Sequence, residues 1–547
     1  MDIKTRLLNY YNLSEEDLKA RQIDRPLSFI KDPFKYLKGF TQTIEYLKEC
    51  VKNKTKIVIY GDYDVDGMTS TSILVLAFKK LGLEVGYFIP SRYTQGYGLT
   101  KDMVDQFNKK GYKLIICVDN GISKFEEIEY SKSLGIDVIV IDHHELVENK
   151  LSVANYIIHQ KVCEYTSYNI SAAFLAMLVY YGLVGEYDEY IVTLAGIAVI
   201  SDMMEVIDMN LIILKYAINT INKLKYKQFN LLLYGFIDGY KVENNQAYHL
   251  NDLLNYPISS NDISYKIVPQ LNSLGRVNIS IKNNNGVRFL ICEDNSKLVE
   301  YYNFIKEVNK SKVETIKKCK EKLDYDLSSS KIAVQIIDGL PIGLIGGIVN
   351  DYINKTNKNA ILFAYKDEAK QELVGSGRSI SGFDIYSALL PIKDKFLAFG
   401  GHPFAFGLSI KASEFESIKK EIIQQVEKSK PIIENKTYIK LDLDELSSQI
   451  FDIIEEFEPF GYGFISPIFY IEMDKSLFKL SSNKLHLLYR NDKGISINYF
   501  NYPSIVNSNQ KLKLTLNISK NVYKNKIQYS FNVNEIVNEK TNYKLIF

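Results

Sequence analysis

From about residue 55 the chain alternates short apolar runs, rich in β-branched residues, with longer stretches whose apolar positions recur at helical spacing. Lys56–Tyr60, Glu84–Ile89, Lys113–Val118 and Asp137–Ile141 predict strands, and Met68–Leu81, Lys101–Lys110 and Phe125–Leu134 predict the helices between them. Beyond the charged residue that opens each, the strands run without a polar interruption. That pattern belongs to a parallel sheet covered on both faces in an α/β fold. Helices are also expected at Ile170–Leu183 and Tyr187–Ile200, and a long charged helix from Ser296 to Leu323 reads as a solvated connector.

A second, smaller α/β unit follows, with strands at Lys331–Ile336 and Ala360–Ala364 around a helix at Gly343–Asn354. An acidic helix at Ser447–Phe457 leads into five short alternating segments, the signature of a small β-barrel or sandwich. The expected division is an N-terminal helical extension at 1–45, a parallel-sheet domain at 46–295, a connecting helix at 296–326, a second α/β domain at 327–430 and a β-barrel at 431–547.

Composition narrows the classes. The 547 residues are 46% hydrophobic and 24% charged, enough for several cores, which excludes disordered and collagen-like chains. Lys+Arg 67 against Asp+Glu 65 leaves a net charge of +2, so any nucleic-acid partner must be met by a local patch. The five cysteines stand far apart with no CxxC, which argues against a zinc ribbon or disulfide framework and fits a reducing compartment. The N-terminus lacks an apolar signal segment, and no apolar run is long enough to span a membrane. The expectation is a cytoplasmic protein, without a membrane partner, acting as a monomer.

Four acidic segments carry the chemistry. Tyr60-Gly-Asp-Tyr-Asp-Val-Asp-Gly67 follows a predicted strand and can aim alternate carboxylates of Asp62, Asp64 and Asp66 at one point. Such carboxylates repel one another, so a divalent cation is their natural partner. An EF-hand fails here because no helix precedes the segment and the twelfth-position Glu is missing. Asp119-Asn120-Gly121 and Asp142-His143-His144-Glu145 also lie at C-terminal strand ends, where parallel sheets assemble their sites. Asp202 closes an apolar helix at the end its dipole disfavours, which calls for a compensating partner. Taken singly, each segment has a bland reading as a turn or cap. Together, oxygen ligands with one imidazole suit Mn2+ or Mg2+, and their number suggests two ions.

GDYDVDG, DNG, Asp142-His143-His144 and a following Asp resemble the DHH phosphoesterase superfamily, and Gly400-Gly401-His402-Pro-Phe-Ala-Phe-Gly407 resembles the motif of its DHHA1 domain. Further segments are similar to the RecJ-type single-strand-specific exonucleases. They are Pro90-Ser-Arg92 with Gly96-Tyr-Gly98, Pro269-Gln-Leu-Asn272 with Gly275-Arg276, Gly375-Ser-Gly-Arg378-Ser and Pro459-Phe-Gly-Tyr-Gly463. The resemblance implies a DHH domain, a DHHA1 domain and an OB-like barrel, and a 5′→3′ exonuclease that releases 5′-mononucleotides from single-stranded DNA by two-metal hydrolysis in recombination and repair. It implies Asp64, Asp66, Asp119, His143 and Asp202 as metal ligands, with Asp119 as bridge and Asp62 as ligand or support. His144 would touch the scissile phosphate, with Asp142 and Asn120 orienting neighbours. Arg276 would meet the scissile phosphate; Arg92, Ser376 and Arg378 the terminal 5′-phosphate; Gly400, Gly401 and His402 the nucleotide. A helicase and a single-strand-binding protein are the partners that family behaviour suggests.

Some residues depart from the family pattern. Phe404 or Phe406 stands where small residues are usual and would narrow the nucleotide pocket. Tyr60 occupies a place where some relatives carry a histidine ligand. A phosphodiesterase for short oligonucleotides or cyclic dinucleotides is the alternative. A catalytically dead DNA-binding scaffold is a third reading, disfavoured by the intact Asp64, Asp66, Asp119 and His143. Residues 471–547 hold 12 Lys and Arg against 5 Asp and Glu, interleaved with Tyr489, Tyr499, Phe500 and Tyr502. That mixture fits a stacking platform for a single strand, although the acidic lead-in at 431–470 offsets most of the charge.

Overall fold

The structure is a computed structural model. It describes all residues except 94–95, 148–149, 239, 243–256, 278–282, 326–329, 367–368, 381, 430–435, 483–484, 501–510, 524–525 and 538–541. Five strands form the first sheet: β1 (Ile57–Tyr60), β2 (Gly86–Phe88), β3 (Leu114–Val118), β4 (Asp137–Ile141) and β5 (Tyr156–Ile158). Their order is β2-β1-β3-β4-β5 and every pairing is parallel. Alternate residues feed two cores. Ile57, Ile59, Ile116 and Ile139 face one side, and Val58, Tyr60, Ile115 and Val138 the other. The apolar helices Ala172–Val184 and Glu189–Ser201 are buried almost all round, as their uniform apolarity requires.

A short hairpin, β6 (Phe236–Ile237) with β7 (Tyr240–Lys241), precedes the connecting helix, which runs from Asn295 to Lys320. The second sheet contains β8 (Ile332–Ile336), β9 (Asn359–Tyr365), β10 (Glu372–Arg378), β11 (Ala398–His402) and β12 (Ala405–Lys411) in the order β11-β12-β10-β9-β8. Only β8 and β9 pair in parallel; the others are antiparallel.

The C-terminal region contains β13 (Lys436–Lys440), β14 (Phe469–Asp474), β15 (Lys479–Leu480), β16 (His486–Arg490), β17 (Ser496–Phe500), β18 (Lys511–Tyr523), β19 (Lys526–Ile536) and β20 (Tyr543–Ile546). They form one mixed sheet, β15-β16-β17-β19-β18-β14-β13-β20. The expected OB-like unit is present as one sheet that stays open among the described residues, with β15 and β20 as its two edges. Its core also takes in Ile3, Leu7, Leu8 and Leu18 from the helices Ile3–Tyr11 and Glu15–Gln22. The helix Phe40–Lys52 packs into the first domain instead.

The four aromatics of the expected stacking platform divide between core and surface. On β17, alternation sends Tyr499 inward, 9% exposed, and Phe500 outward, 51% exposed. Tyr489 packs edge-on against Phe478, and Tyr502 lies outside the described residues. Of the four aromatics, Phe500 alone is seen to offer an open ring face, beside His486.

Candidate metal centre and arginine cluster

The acidic segments occupy the C-terminal ends of β1, β3 and β4. After β1 the chain folds back over the first turn of the helix Val65–Lys80. A Cβ on Gly67 would collide with the backbone of Asp62, so glycine permits the close approach. Asp64 caps this helix, accepting the Gly67 N–H at 3.1 Å. Asp66 is fully buried. Its oxygens accept the N–H groups of Ala172 and Ala173 at 2.7 and 2.8 Å, the unpaired donors at the start of the next buried helix. Asn272 accepts from the Val65 N–H at 3.0 Å, and Gly275 packs against the Tyr63 carbonyl, so the 269–276 segment braces this loop.

After β3, Asp119 adopts a left-handed conformation at φ 59°, followed by Gly121 at φ 110°. The Asn120 side chain donates to the carbonyls of Tyr60 and Val118 at 3.2 and 2.8 Å, tying two strand ends together. After β4, Asp142 accepts from the backbone N–H groups of His143 and His144 and from Ile122. It also lies 2.7 Å from Nδ1 of His144. Gln160 donates to the carbonyl of His143, and His159 sits 2.9 Å from that of His144; neither was singled out from the sequence.

These loops bring donor atoms together. Ligand atoms of Asp66, His143 and Asp202 lie within 4.8 Å of one another, as do those of Asp62, Asp64 and Asp119, and those of Asp119, His143 and His144. His143 Nε2 stands 3.1 Å from Asp202, 3.3 Å from Asp119 and 3.6 Å from Asp66. Yet Nε2, like Oδ1 of Asp62, is buried without a hydrogen-bond partner among the described residues. Two orphaned buried donor atoms amid carboxylates fit a divalent cation. Asp202 faces His143 without pairing to it, so the partner its position calls for is left to a cation between them. Tyr60 turns away: its ring packs against Phe88 and Phe107 on the other core, and its hydroxyl donates to the Gly98 carbonyl. It contributes no ligand.

Crowded acids shift one another. Burial, then Asp64, raises Asp66 to about 7, and burial, then Asp66 and Asp64, raises Asp202 to about 8. Asp119 and Asp62 are pushed well up by burial and by their acidic neighbours. Burial, then His144, lowers His143 to about 3, which keeps it neutral. For His144, burial is outweighed by Asp142, whose hydrogen bond and charge raise it to about 9. Burial likewise acts upward on Asp142, but the same pairing brings it down to about 2. The hydroxyl of Tyr97 lies 3.2 Å from Nε2 of His144, a contact unseen in the sequence.

A cationic cluster adjoins the acids. Arg92 stacks on Tyr63 at 4.4 Å, and its Nε has no hydrogen-bond partner among the described residues. Burial, then Arg92, lowers Arg276; burial, then Arg276, lowers Arg378. Lys312, on the connecting helix, is buried with Nζ on the Pro269 carbonyl at 2.8 Å. Burial, then Arg276, lowers it to about 8. A lone lysine in a charged helix carried no signal in the sequence. The Tyr93 hydroxyl donates to the Arg276 carbonyl at 2.7 Å and accepts the Gly343 N–H at 3.4 Å, joining the first two domains at this point.

Register places the second-domain residues. Ser376 and Gly400 both pair with Gly407, and Arg378 and His402 both pair with Ala405. Opposed residues share a face, so Ser376, Arg378, Gly400 and His402 lie on one face kept open by Ala405 and Gly407. Arg378 donates to Asn350 at 3.1 Å and to Ser376 at 2.9 Å. Gly401 faces the opposite side, where a Cβ would press on Phe406. Phe406 is a core residue against Phe399 and Tyr386, so it does not narrow a pocket on the Arg378 face. Phe404 is 54% exposed at the hairpin tip.

Three family models follow one another along the chain: the DHH family N-terminal domain at residues 56–210, the DHHA1 domain at 329–428 and the RecJ OB domain at 439–535. The chain is 27% identical over 475 residues to the single-stranded-DNA-specific exonuclease RecJ of Bacillus subtilis, covering 83% of this chain and 57% of that protein. It is 27% identical to the Haemophilus influenzae protein of the same name, covering 91% of each, and 28% identical to that of Escherichia coli, covering 82% and 80%. The crystal structure of Thermus thermophilus RecJ in complex with Mn2+ superposes at a TM-score of 0.78, with 20% identity, over 98% of this chain and 76% of that one. With DHH, DHHA1 and RecJ OB domains in that order, and relatives of one name matching across most of its length, the chain belongs to the RecJ family of the DHH/DHHA1 phosphoesterases.

Proposed function

We propose that this chain is a divalent-metal-dependent 5′→3′ exonuclease that acts on single-stranded DNA with a 5′-phosphate, releases 5′-mononucleotides, and serves recombination and repair. One observation carries the reading: three groups of side chains that could hold a metal ion, linked through Asp119 and His143, converge beside a partly buried cluster of arginines at a domain junction. The names of its relatives support the substrate class.

In this reading Asp62, Asp64 and Asp119 would hold one cation and Asp66, His143 and Asp202 the other, and Asp119, 3.3 Å from His143, would serve both. Mn2+ or Mg2+ bound there supplies Lewis-acid polarisation of a phosphoryl oxygen and an acidified water. The chain's own residues do the rest. Asp66 is aimed by two backbone amides, and neutral His143 presents a lone pair rather than a proton. His144, kept charged by Asp142, donates to a non-bridging oxygen of the scissile phosphate. Arg276 binds the same phosphate, braced by Tyr93 and backed by Lys312. Arg92, Ser376 and Arg378 take the terminal 5′-phosphate, and Gly400 and His402 border the nucleotide, with only the backbone of Gly401 between them. Asn120 and Asp142 hold the strand ends in register.

The division into an N-terminal extension at 1–45, a DHH domain at 46–295, a connecting helix at 296–326, a DHHA1 domain at 327–430 and an OB-like domain at 431–547 is part of the same proposal. So are a helicase and a single-strand-binding protein that supply unwound DNA, and action as a cytoplasmic monomer. No helix among the described residues is long and apolar enough to cross a membrane.

The test is product length. On a 5′-labelled single strand with Mn2+, labelled mononucleotide is expected from the outset, with near-inertness on blunt duplex. Equal activity on duplex, or cleavage confined to dinucleotides, overturns the proposal.

A further inference from the structure

The segment Pro459–Phe464 belongs to the C-terminal region. It packs on the turn that carries Asp202. The Val206 N–H donates to the Tyr462 carbonyl at 2.9 Å. Arg21, from the helix Glu15–Gln22, reaches between them. Its Nη1 donates to the Val206 carbonyl at 3.0 Å, its Nη2 to that of Pro459 at 2.7 Å and its Nε to that of Phe457 at 3.3 Å. The same guanidinium lies 3.7 Å above the ring of Phe464. Burial lowers Arg21 to about 10, so it remains charged at neutral pH. Phe464 packs against the cores of both domains, and Val206 is fully buried. A methyl group on Gly461 would stand 2.5 Å from Val206 Cγ2 and 3.3 Å from Ile200 Cδ1, so glycine allows the two backbones to meet.

Between Asp202 and Val206 the chain has little slack. The Asp202 N–H closes the helix on the Ala198 carbonyl, and the Met204 N–H bonds to Val199 at 2.9 Å. Met203 is left-handed at φ 51°, and Asn210 donates to the Glu205 carbonyl at 3.0 Å. A tight turn pinned at both ends transmits displacement rather than absorbing it. Asp202 stands on this turn, unlike Asp66, Asp119 and His143, which stand on strand ends or a buried helix turn.

We infer that the Pro459–Phe464 loop and Arg21 form a clamp that positions Asp202, so that metal binding in the first domain depends on a docked C-terminal region and N-terminal helix. Arg21 and Gly461 are positioning residues that act through Val206. The inference rests on the proposed ligand role of Asp202.

The test is Mn2+ binding to the full-length chain by titration calorimetry without DNA, with thermal unfolding to certify folding. The wild-type chain is expected to take two ions. Asp202→Asn, Arg21→Met and Gly461→Ala should each weaken the same one of them by roughly 10- to 100-fold, the usual loss when a ligand's supporting residue is removed. Adding Val206→Ala to Gly461→Ala should restore affinity by making room for the methyl, a rescue that general destabilisation does not produce. Gly461→Ala keeps the test open should Arg21→Met fail to fold. If Asp202→Asn weakens one ion while folded Arg21→Met and Gly461→Ala bind both as tightly as wild type, the clamp is overturned and the ligand role stands. If Asp202→Asn binds both ions normally, the ligand role falls and the clamp with it.

Discussion

Nε2 of His143 lies 3.1 Å from Oδ2 of Asp202 and makes no hydrogen bond to it. The imidazole comes from a loop after β4, and the carboxylate from the end of a helix that packs against the helices Val65–Lys80 and Ala172–Val184. His143 is buried and Asp202 half-buried, and each shifts toward its uncharged form: His143 to about 3 and Asp202 to about 8. Two polar groups held this close yet unpaired are arranged for something between them.

That arrangement gives a pH dependence with a definite sign. Asp66 and Asp202 titrate at about 7 and about 8 in the folded chain, against roughly 4 when unfolded. Their raised values contribute stability that is present at low pH and lost as pH rises through 7 to 8. His144, raised to about 9, acts in the same direction, whereas neutral His143 matters only below about pH 6.5. In chelator the melting temperature should fall by a few degrees between about pH 6.5 and pH 8.5. Saturating Mn2+ should remove the fall, because a bound cation favours the carboxylates. A metal-free melting temperature that is flat or rises over this window contradicts the electrostatic account.

Asp119→Ala removes the carboxylate shared by two of the ligand groups. Turnover should drop by more than about 100-fold, beyond what orienting residues cost, while single-strand affinity measured by fluorescence anisotropy persists. A variant with ordinary turnover would refute the metal assignment.

Arg378→Ala should raise KM about 10- to 100-fold on 5′-phosphorylated strands, the loss of a charge-assisted contact worth roughly 1.5–3 kcal/mol. Strands ending in a 5′-hydroxyl should change little. Steady-state kinetics on the paired substrates separates this from a general defect; equal losses on both would place Arg378 elsewhere than at the terminal phosphate.

The two phenylalanines of the glycine-rich hairpin should behave differently. Phe406→Ala opens a cavity in the second domain's core and should cost about 3–5 kcal/mol in urea unfolding. Phe404→Ala, at the exposed tip, should stay within about 0.5 kcal/mol of wild type. Similar costs for both would contradict the register of β12.

The strand ends were legible because unbroken apolar runs announce a buried parallel sheet and an aspartate just beyond each run has few other reasons to be there. Asp137–Ile141 appears in the structure with the predicted bounds. What escaped depends on long-range contacts. The amides of Ala172 and Ala173 that aim Asp66, Lys312 behind Arg276, and Arg21 on Val206 and Pro459 join residues far apart in the chain, and no local pattern marks such pairs. Alternation along β12 puts Phe406 with Leu408 and opposite Ala405 and Gly407, an inward–outward contrast already present in the sequence. The alternation of the C-terminal strands announced a small barrel or sandwich but not whether it closes, because short alternating strands look alike whether a sheet closes or keeps its edges.

The central claim is that these acids and His143 hold two divalent ions at a site that receives a 5′-phosphorylated strand. Anomalous scattering from crystals soaked with Mn2+ and a 5′-phosphorylated oligonucleotide measures this directly. The account predicts two manganese peaks, one among Asp62, Asp64 and Asp119 and one among Asp66, His143 and Asp202, with the 5′-phosphate at Arg92, Ser376 and Arg378. Manganese bound elsewhere, a single ion untouched by Asp119, or a strand seated with its 3′ end at the arginines would contradict it.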